Sequence, residues 1–296
     1  MYMFNISDFS IEVVTPAIYL SEDTMSFVGA INVPTAAQNV AMTIVSIDEP
    51  IVATVAAPFE ISSDNVNFAN ALTITATQTI QFVDVFVRYN PTVVGDNNET
   101  LTFAAGNVNA TVILNGHAVD CSVPTLPYET NFSNEDMNAC WTIIDANGDG
   151  DGLYGEITFY TGADESYMMY AYNETNAADD WAISPAFTLG QNAAASFDYA
   201  VNSSSYPEKF SVYVIGEGQT YAEGTKVVNT KTVTNTNWAF QAVDLSAYNG
   251  QTVQVAIHVE SAADKYAIFF TNFRIANDEV SIAEVSENDN NVSVYP

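Results

Sequence analysis

The chain of 296 residues contains 36 Asp and Glu but only 6 Lys and Arg, which gives a formal net charge of −30 at pH 7. A protein this acidic repels phosphate groups, so we expect it to bind neither nucleic acid nor anionic lipid headgroups. The apolar fraction of 48% can build hydrophobic cores and excludes a wholly disordered chain. The negative charge favours binding of a cation or of a neutral ligand such as a glycan, or it keeps the protein soluble in a salty extracellular medium.

The composition favours β-strands and turns. The chain is rich in Val, Thr, Ile, Tyr, Phe, Asn and Ser rather than in the residues that usually cover helix surfaces. We therefore predict an all-β, extracytoplasmic protein whose length suits two domains or one large β domain. No run approaches the roughly 20 apolar residues of a spanning helix, so we expect no membrane insertion. Residues 1–10 lack the pattern of a signal peptide, which leaves a cytosolic chain or the mature form of an exported one.

The first 118 residues contain a series of short predicted strands separated by turn residues at the spacing typical of β-sandwiches. Apolar residues alternate around Leu72 and Thr100, as expected for strands with one buried face. The predicted strands cover residues 11–15, 25–30, 40–46, 51–56, 72–75, 80–89, 100–104 and 108–114. Residues 58–62, 87–92 and 114–116 give this part a resemblance to the Ig-like repeats that precede adhesin modules in secreted Bacteroidetes proteins. The resemblance implies a sandwich that acts as a spacer or stalk.

The two cysteines, Cys121 and Cys140, occur near the predicted domain boundary. Two isolated cysteines this close in sequence can cross-link the first residues of a domain, so we predict a structural disulfide in an exported protein. The alternative, a metal or redox pair, needs a tighter cluster or a nearby histidine. The boundary itself is predicted at residues 119–127, because Pro124 and Pro127 force extended geometry on themselves and their predecessors.

The second part, residues 119–277, again has the pattern of β-strands. The predicted strands cover residues 141–144, 167–172, 182–189, 194–201, 210–215, 240–245, 252–260 and 266–275, and residues 157–160 also have a strand pattern. In the segment 252–260, Val255 and Ile257 belong to one face and His258 to the opposite one. We interpret His258 as a surface or groove-lining residue, with a ligand role as the alternative.

An acidic loop begins at Asp145. Oxygen-bearing side chains recur at alternate positions in the pattern of a calcium-binding EF-hand loop. The flanking segments have strand patterns rather than helical ones, so we predict a calcium loop between β-segments. Its expected ligands, in decreasing order of expectation, are Asp145, Asn147, Asp149, Asp151 and Glu156. The alternative is a solvated Asn/Asp/Gly turn, although carboxylates this close repel one another unless a cation lies among them.

Several motifs give the second part a resemblance to the cleaved-adhesin, or choice-of-anchor J, domain of Bacteroidetes surface proteins exported by type IX secretion. They occur in the order of that family, at residues 121–124, 128–132, 140–150, 179–185 and 269–275. The resemblance implies a jelly-roll β-sandwich, so the predicted fold class is an Ig-like β-sandwich followed by a jelly-roll β-sandwich. The last motif departs from the family, because Thr271 and Asn272 stand where paired Asp residues are frequent.

The jelly-roll resemblance also implies a second calcium site where the first and last strands meet. Its expected ligands are Glu129, Asp180 and Asn272. Residues 278–296 are acidic and polar and are predicted to be a linker. Their ending, residues 294–296, resembles the start of a type IX sorting domain, which implies an exported precursor and a location outside the cell or on its outer surface.

Together these features indicate a calcium-stabilised adhesin or binding module that recognises an extracellular glycan or protein. Candidate ligand-binding aromatic residues are Tyr206, Tyr221 and Trp238, whereas Trp141 and Trp181 lie in family motifs and are expected to be buried. One alternative is a structural stalk or filament subunit that self-associates end to end, and another is an accessory module of a larger secreted hydrolase. Neither G-x-S-x-G nor H-E-x-x-H occurs, and we expect no catalysis.

Overall fold

The computed structural model describes residues 15–122, 124–149, 157–161 and 166–277. The chain divides into two compact units, Met1–Asp120 and Cys121–Pro296. Among the described residues of both units, nearly all regular secondary structure is β-strand arranged in sheets, so the prediction of an all-β sandwich protein is confirmed. Across the described ranges, every helix is too short or too polar to traverse a lipid bilayer.

The described residues of the first unit form two sheets, in which most neighbouring strands are antiparallel. The strands are β1 Ala17–Leu20, β2 Thr24–Ala30, β3 Gln38–Val45, β4 Ile51–Thr54, β5 Phe59–Ser62, β6 Ala71–Ile74, β7 Ile80–Tyr89, β8 Gly95–Ala105 and β9 Val108–Val119. One sheet has the strand order β1-β3-β7-β5 and the other has the order β2-β9-β8-β4-β6. Strand β2 runs parallel to β9, whereas β8 and β9 form a long antiparallel hairpin.

Alternating apolar residues of these strands form the core of the first unit. In β9, for example, Val112 and Leu114 are buried while Ile113 between them is half exposed. The rings of Phe59 and Tyr89 meet at 4.9 Å between centroids. Gly116 allows this packing, because a Cβ atom there would lie 2.5 Å from the Tyr89 ring.

The second unit is also built from two sheets in the residues described. Its elements are β10 Tyr128–Thr130, α1 Glu135–Asn138, β11 Thr142–Asp145, β12 Ile157–Thr161, β13 Ser166–Ala171, β14 Asp180–Ile183, β15 Phe187–Thr188, β16 Ala194–Val201, β17 Glu208–Gly216, β18 Thr225–Val233, β19 Ala239–Asp244, β20 Thr252–Val259 and β21 Ala267–Ala276. One sheet has the order β12-β13-β21-β16-β19, with β10 paired to β21. The other has the order β11-β14-β20-β17-β18, with β15 paired to β20.

An aromatic cluster fills the core between the two sheets of the second unit. Phe197, Phe210 and Phe270 meet edge to face, with ring centroids 5.5 to 5.8 Å apart. At one end of this core, Trp141 packs on Phe273 at 4.9 Å and donates a hydrogen bond from its indole nitrogen to the Tyr128 hydroxyl. This packing holds the first strand of the unit, β10, against its last strand, β21.

The strand predictions are most accurate for long strands with many apolar residues and fail for several short or largely polar ones. The predicted strand 182–189 is split around Pro185, which cannot donate to the sheet, into β14 and β15. The short strands β1, β5 and β10 were not predicted, and neither was β18. The last is an edge strand with a largely polar sequence, so it carries no period-two signal. The predicted strand 11–15 and the acidic tail 278–296 lie outside the described residues, apart from Thr15.

Candidate calcium and ligand-binding sites

The acidic loop follows directly from β11, whose last residue is Asp145. The Asp145 carboxylate accepts a hydrogen bond from the Gly148 amide at 2.8 Å, and Gly148 adopts a left-handed φ of 65° that suits glycine. The Asn147 side chain donates to the Asp149 carboxylate at 3.1 Å and to the Ala177 carbonyl at 2.7 Å. The loop is therefore closed on itself and fastened to the segment before β14. Two further predicted ligands, Asp151 and Glu156, lie outside the described residues.

Strand β14 brings a further carboxylate, that of Asp180, to the start of this loop. Strand β14 pairs with β11 so that Asp180 is directly opposite Asp145. Asp180 is only 1% exposed, and neither of its carboxylate oxygens has a hydrogen-bond partner among the described residues. Burial, together with the negative charges of Asp145 and Asp149, raises the pKa of Asp180 to about 8. A buried carboxylate without a partner is costly unless a proton or a cation neutralises it.

The described residues alone do not complete a metal site. No three His, Cys, Asp or Glu side chains in the described part of the chain are grouped closely enough to hold one ion. Oxygen ligands are nevertheless what calcium requires, and it takes six to eight of them, including backbone carbonyls and amide oxygens. Asp145, Asn147, Asp149 and Asp180 carry side-chain oxygens of the kind that calcium binds, and of these four residues only Asp180 is buried.

The structure separates the residues of the second predicted calcium site. Glu129 lies on β10 and Asn272 on β21, at the pairing of the first and last strands, but Asp180 lies on the opposite sheet. Glu129 is occupied by an ion pair with Arg274, whose Nε donates to the carboxylate at 2.8 Å. Asn272 donates from its amide to the carboxylate of Asp198 at 2.9 Å. Glu129 and Asn272 thus come together, while Asp180 joins the acidic loop instead.

Glu129 and Asn272 line a pocket that was not predicted. Its volume is about 540 Å³, and its walls come from β10, from the turn that leads into α1 and from β21. The lining residues include Glu129, Asn131, Asn134, Met137, Asn272 and Arg274. The pocket is therefore lined mainly by amides and one ion pair.

The three ligand-binding candidates among the aromatic residues differ in exposure. Tyr206 is 46% exposed, and its ring centroid lies 6.4 Å from that of Tyr266, which is 47% exposed and was not predicted. Tyr221 is partly buried and packs on Trp181 at 5.1 Å. Trp238 is also partly buried and lies 6.4 Å from Tyr167. Of the three candidates, Tyr206 is the most accessible to a ligand.

Trp141 and Trp181 are buried, at 6% and 5% exposure. Trp181 packs on the side of its sheet away from the main core, together with His258. The two rings stack with centroids 3.9 Å apart, and the Nε2 atom of His258 lies 2.8 Å from the Asp179 carboxylate. Burial lowers the pKa of His258 even though Asp179 acts in the opposite direction. His258 is therefore a neutral packing residue at neutral pH.

Cys121 and Cys140 form a disulfide with their Cα atoms 5.4 Å apart. The bond connects the entry into the second unit to the residue before Trp141. It encloses β10, the turn at residues 131–134 and α1, which are the elements that form most of the pocket wall. The disulfide therefore limits the movement of one wall of the pocket.

Comparison with known proteins identifies the second unit. The sequence model of the Cleaved Adhesin Domain family matches residues 125–282. Among solved structures, the K3 and K1 cleaved adhesin domains of Lys-gingipain from Porphyromonas gingivalis are 18% and 19% identical. These matches cover 50% and 52% of this chain and 97% and 100% of those domains, with TM-scores of 0.43.

A more distant match is a carbohydrate-binding module of the β-sandwich superfamily, which is 11% identical. The match covers 89% of this chain and 98% of that one, with a TM-score of 0.38. A search of curated proteins found no match. The matched family segment spans just over half of the sequence, and the chain therefore belongs to the Cleaved Adhesin Domain family.

Proposed function

We propose that this chain is a non-catalytic binding module of a secreted or cell-surface adhesin, and that it recognises an extracellular glycan or protein. Membership of the Cleaved Adhesin Domain family carries this proposal. The net charge of −30 supports a neutral or cationic ligand over an anionic one, because like charges repel. In this proposal the first unit is a spacer that presents the second unit to its ligand.

Calcium is part of the same proposal and would be held by the acidic loop. The expected side-chain ligands are Asp145, Asn147, Asp149 and Asp180, with Asp151 and Glu156 as further candidates. Asp180 supports the site most strongly, because its buried carboxylate has no other partner among the described residues. A bound calcium ion would neutralise these carboxylates and fasten β11 to β14.

Thermal unfolding of the full chain in calcium and in chelator tests the metal proposal. All three tryptophans lie in the second unit, so tryptophan fluorescence follows that unit alone. A concentration of calcium 100-fold above its Kd should raise the midpoint of this transition by about 5–10 °C. Asp180→Asn should abolish the rise, and Asp264→Asn, which changes an exposed aspartate of the same unit, should retain it. An equal response of both variants to calcium would refute the role of Asp180.

A binding screen tests the adhesin proposal itself. The calcium-loaded chain is applied to an array of glycans and to a panel of extracellular matrix proteins. We expect saturable binding to at least one of them, and Tyr206→Ala then tests whether the exposed ring takes part in that binding. An array and a panel that both give no binding would refute the proposed function, whatever the outcome of the calcium experiment.

A further inference from the structure

The pocket between β10 and β21 lies on the side of its sheet that faces away from the core. Along β10, Glu129 is exposed between the buried residues Tyr128 and Thr130. Along β21, Asn272 and Arg274 alternate with the buried Phe273 in the same way. The polar residues therefore form the inner surface of an outward-facing pocket of about 540 Å³. This volume lies within the range of about 300–1,000 Å³ that is usual for small-ligand sites.

A β-bulge in the last strand shapes this pocket. Ser196 of β16 pairs with Arg274 of β21, and Asp198 pairs with Thr271. Two steps along β16 therefore correspond to three steps along β21, which contains one extra residue. Asn272 adopts a left-handed φ of 51°, which is uncommon for a residue other than glycine. Bulges of this kind redirect side chains and are frequent next to functional sites. Here the bulge leaves both Asn272 and Arg274 among the residues that line the pocket.

The pocket offers hydrogen-bond donors and acceptors together. Arg274 uses its Nε to bind Glu129, so its two terminal nitrogens and the second Glu129 oxygen are not bonded to any described residue. Asn131 and Asn134 use their carbonyl oxygens to close the turn before α1, which leaves their amide nitrogens as donors. Asn272 uses its amide nitrogen on Asp198, which leaves its carbonyl oxygen as an acceptor.

This combination of groups selects the chemical class of the ligand. A metal cation would lie beside the Arg274 guanidinium, and an anion would meet Glu129 in a chain with a net charge of −30. A neutral sugar fits better, because each hydroxyl donates one hydrogen bond and accepts others and can therefore bridge a guanidinium and a carboxylate. Met137 adds apolar surface to the wall for the C–H groups of a sugar ring. We propose that this pocket binds a neutral glycan through sugar hydroxyls held between Glu129, Arg274 and the surrounding amides.

The proposal rests on the proposed function as a binding module and specifies where its ligand binds. It can be tested directly because the chain contains only two arginines, Arg88 in the first unit and Arg274 in the pocket. Their two side-chain Nε–H signals in an NMR spectrum of the full, calcium-saturated chain are readily distinguished by Arg88→Gln. The probes are cellohexaose, xylohexaose, mannohexaose and lacto-N-tetraose, with hexagalacturonic acid as the anionic comparison.

At least one neutral probe should move the Arg274 signal and leave the Arg88 signal unchanged. Arg274→Gln should lower the affinity for that probe about tenfold or more. Arg88→Gln, which also breaks an Arg–Glu ion pair, should leave the affinity unchanged. The double variant Glu129→Arg with Arg274→Glu keeps an ion pair between the strands but exchanges the positions of donor and acceptor. It should therefore fold, and its affinity for the probe should be as low as that of Arg274→Gln.

Three results would overturn the proposal. They are the absence of any shift of the Arg274 signal with all four neutral probes, a larger shift with hexagalacturonic acid, and full affinity in the exchanged variant. The first of these results, combined with binding of a neutral probe at Tyr206, would refute the pocket while leaving the proposed function intact. The proposed function fails separately, when neither the glycan array nor the matrix-protein panel gives binding.

Discussion

Removal of the Cys121–Cys140 disulfide should destabilise the second unit without unfolding it at room temperature. The bond closes a loop with a sequence separation of 19 residues. For a loop of this length, the entropy that cross-linking removes from the unfolded chain corresponds to about 3 kcal/mol. We therefore expect Cys121→Ser with Cys140→Ser to lower the free energy of unfolding of this unit by about 3 kcal/mol.

Packing inside the loop explains why the fold should survive. Phe132 is 1% exposed and meets the Trp141 ring at 5.2 Å, and Tyr128 packs on Phe187 at 5.0 Å. These aromatic contacts anchor both ends of the enclosed segment to the core even when the sulfurs are not bonded. The change therefore acts mainly on the unfolded state, which becomes less compact, so the slope of the unfolding free energy against urea concentration should rise slightly.

Urea unfolding measured by tryptophan fluorescence separates this effect from any change in the first unit. The tryptophans report on the second unit only, and the cysteines are also confined to it. The transition of the first unit, followed by far-ultraviolet circular dichroism, is the internal control and should not move. A loss below about 1 kcal/mol, or a loss in the first unit, would contradict the loop-entropy argument.

Three further substitutions test individual contacts. Burial raises the pKa of Glu208 above its ordinary value of about 4.5. The free energy of unfolding should therefore fall by about 1.4 kcal/mol per pH unit as pH rises from about 4.5 toward the higher pKa. Glu208→Gln should flatten this slope in urea titrations at several pH values. Gly116→Ala places a methyl group against Tyr89 and should cost the first unit about 1–3 kcal/mol, visible in circular dichroism but not in tryptophan fluorescence. Phe270→Ala should cost the second unit about 3–5 kcal/mol, and a loss below about 1 kcal/mol would contradict its central place in the core.

The β-structure of this chain is predictable where one face of a strand is buried. Strands β7 and β16 begin and end at the predicted residues, because each is a long segment rich in apolar residues. Strand β18 is different, since its edge position requires few apolar residues and its sequence is mostly Thr, Lys, Val and Asn. Its place in the sheet depends on β17, a partner that sequence patterns alone do not identify.

The acidic residues of the loop were recognisable from their spacing, but the position of Asp180 opposite Asp145 was not. Asp180 is 35 positions beyond Asp145, and only the antiparallel register of β11 and β14 brings the two residues opposite each other. The sequence comparison with jelly rolls instead grouped Asp180 with Glu129 and Asn272. Which carboxylates share a site is a property of strand pairing, and local spacing carries no information about it.

The rarity of arginine is the sequence signal that could have identified the pocket. A chain with 36 acidic residues retains two arginines, and each forms an ion pair with a glutamate. Arg88 is fully engaged, because two of its nitrogens bind Glu60 and its guanidinium lies 4.0 Å from the centroid of the Phe68 ring. Arg274 makes a single bond to Glu129 and keeps its terminal nitrogens for another partner. The two ion pairs therefore differ in their surroundings, since Arg88 is held by Glu60 and Phe68, whereas Arg274 lines a pocket.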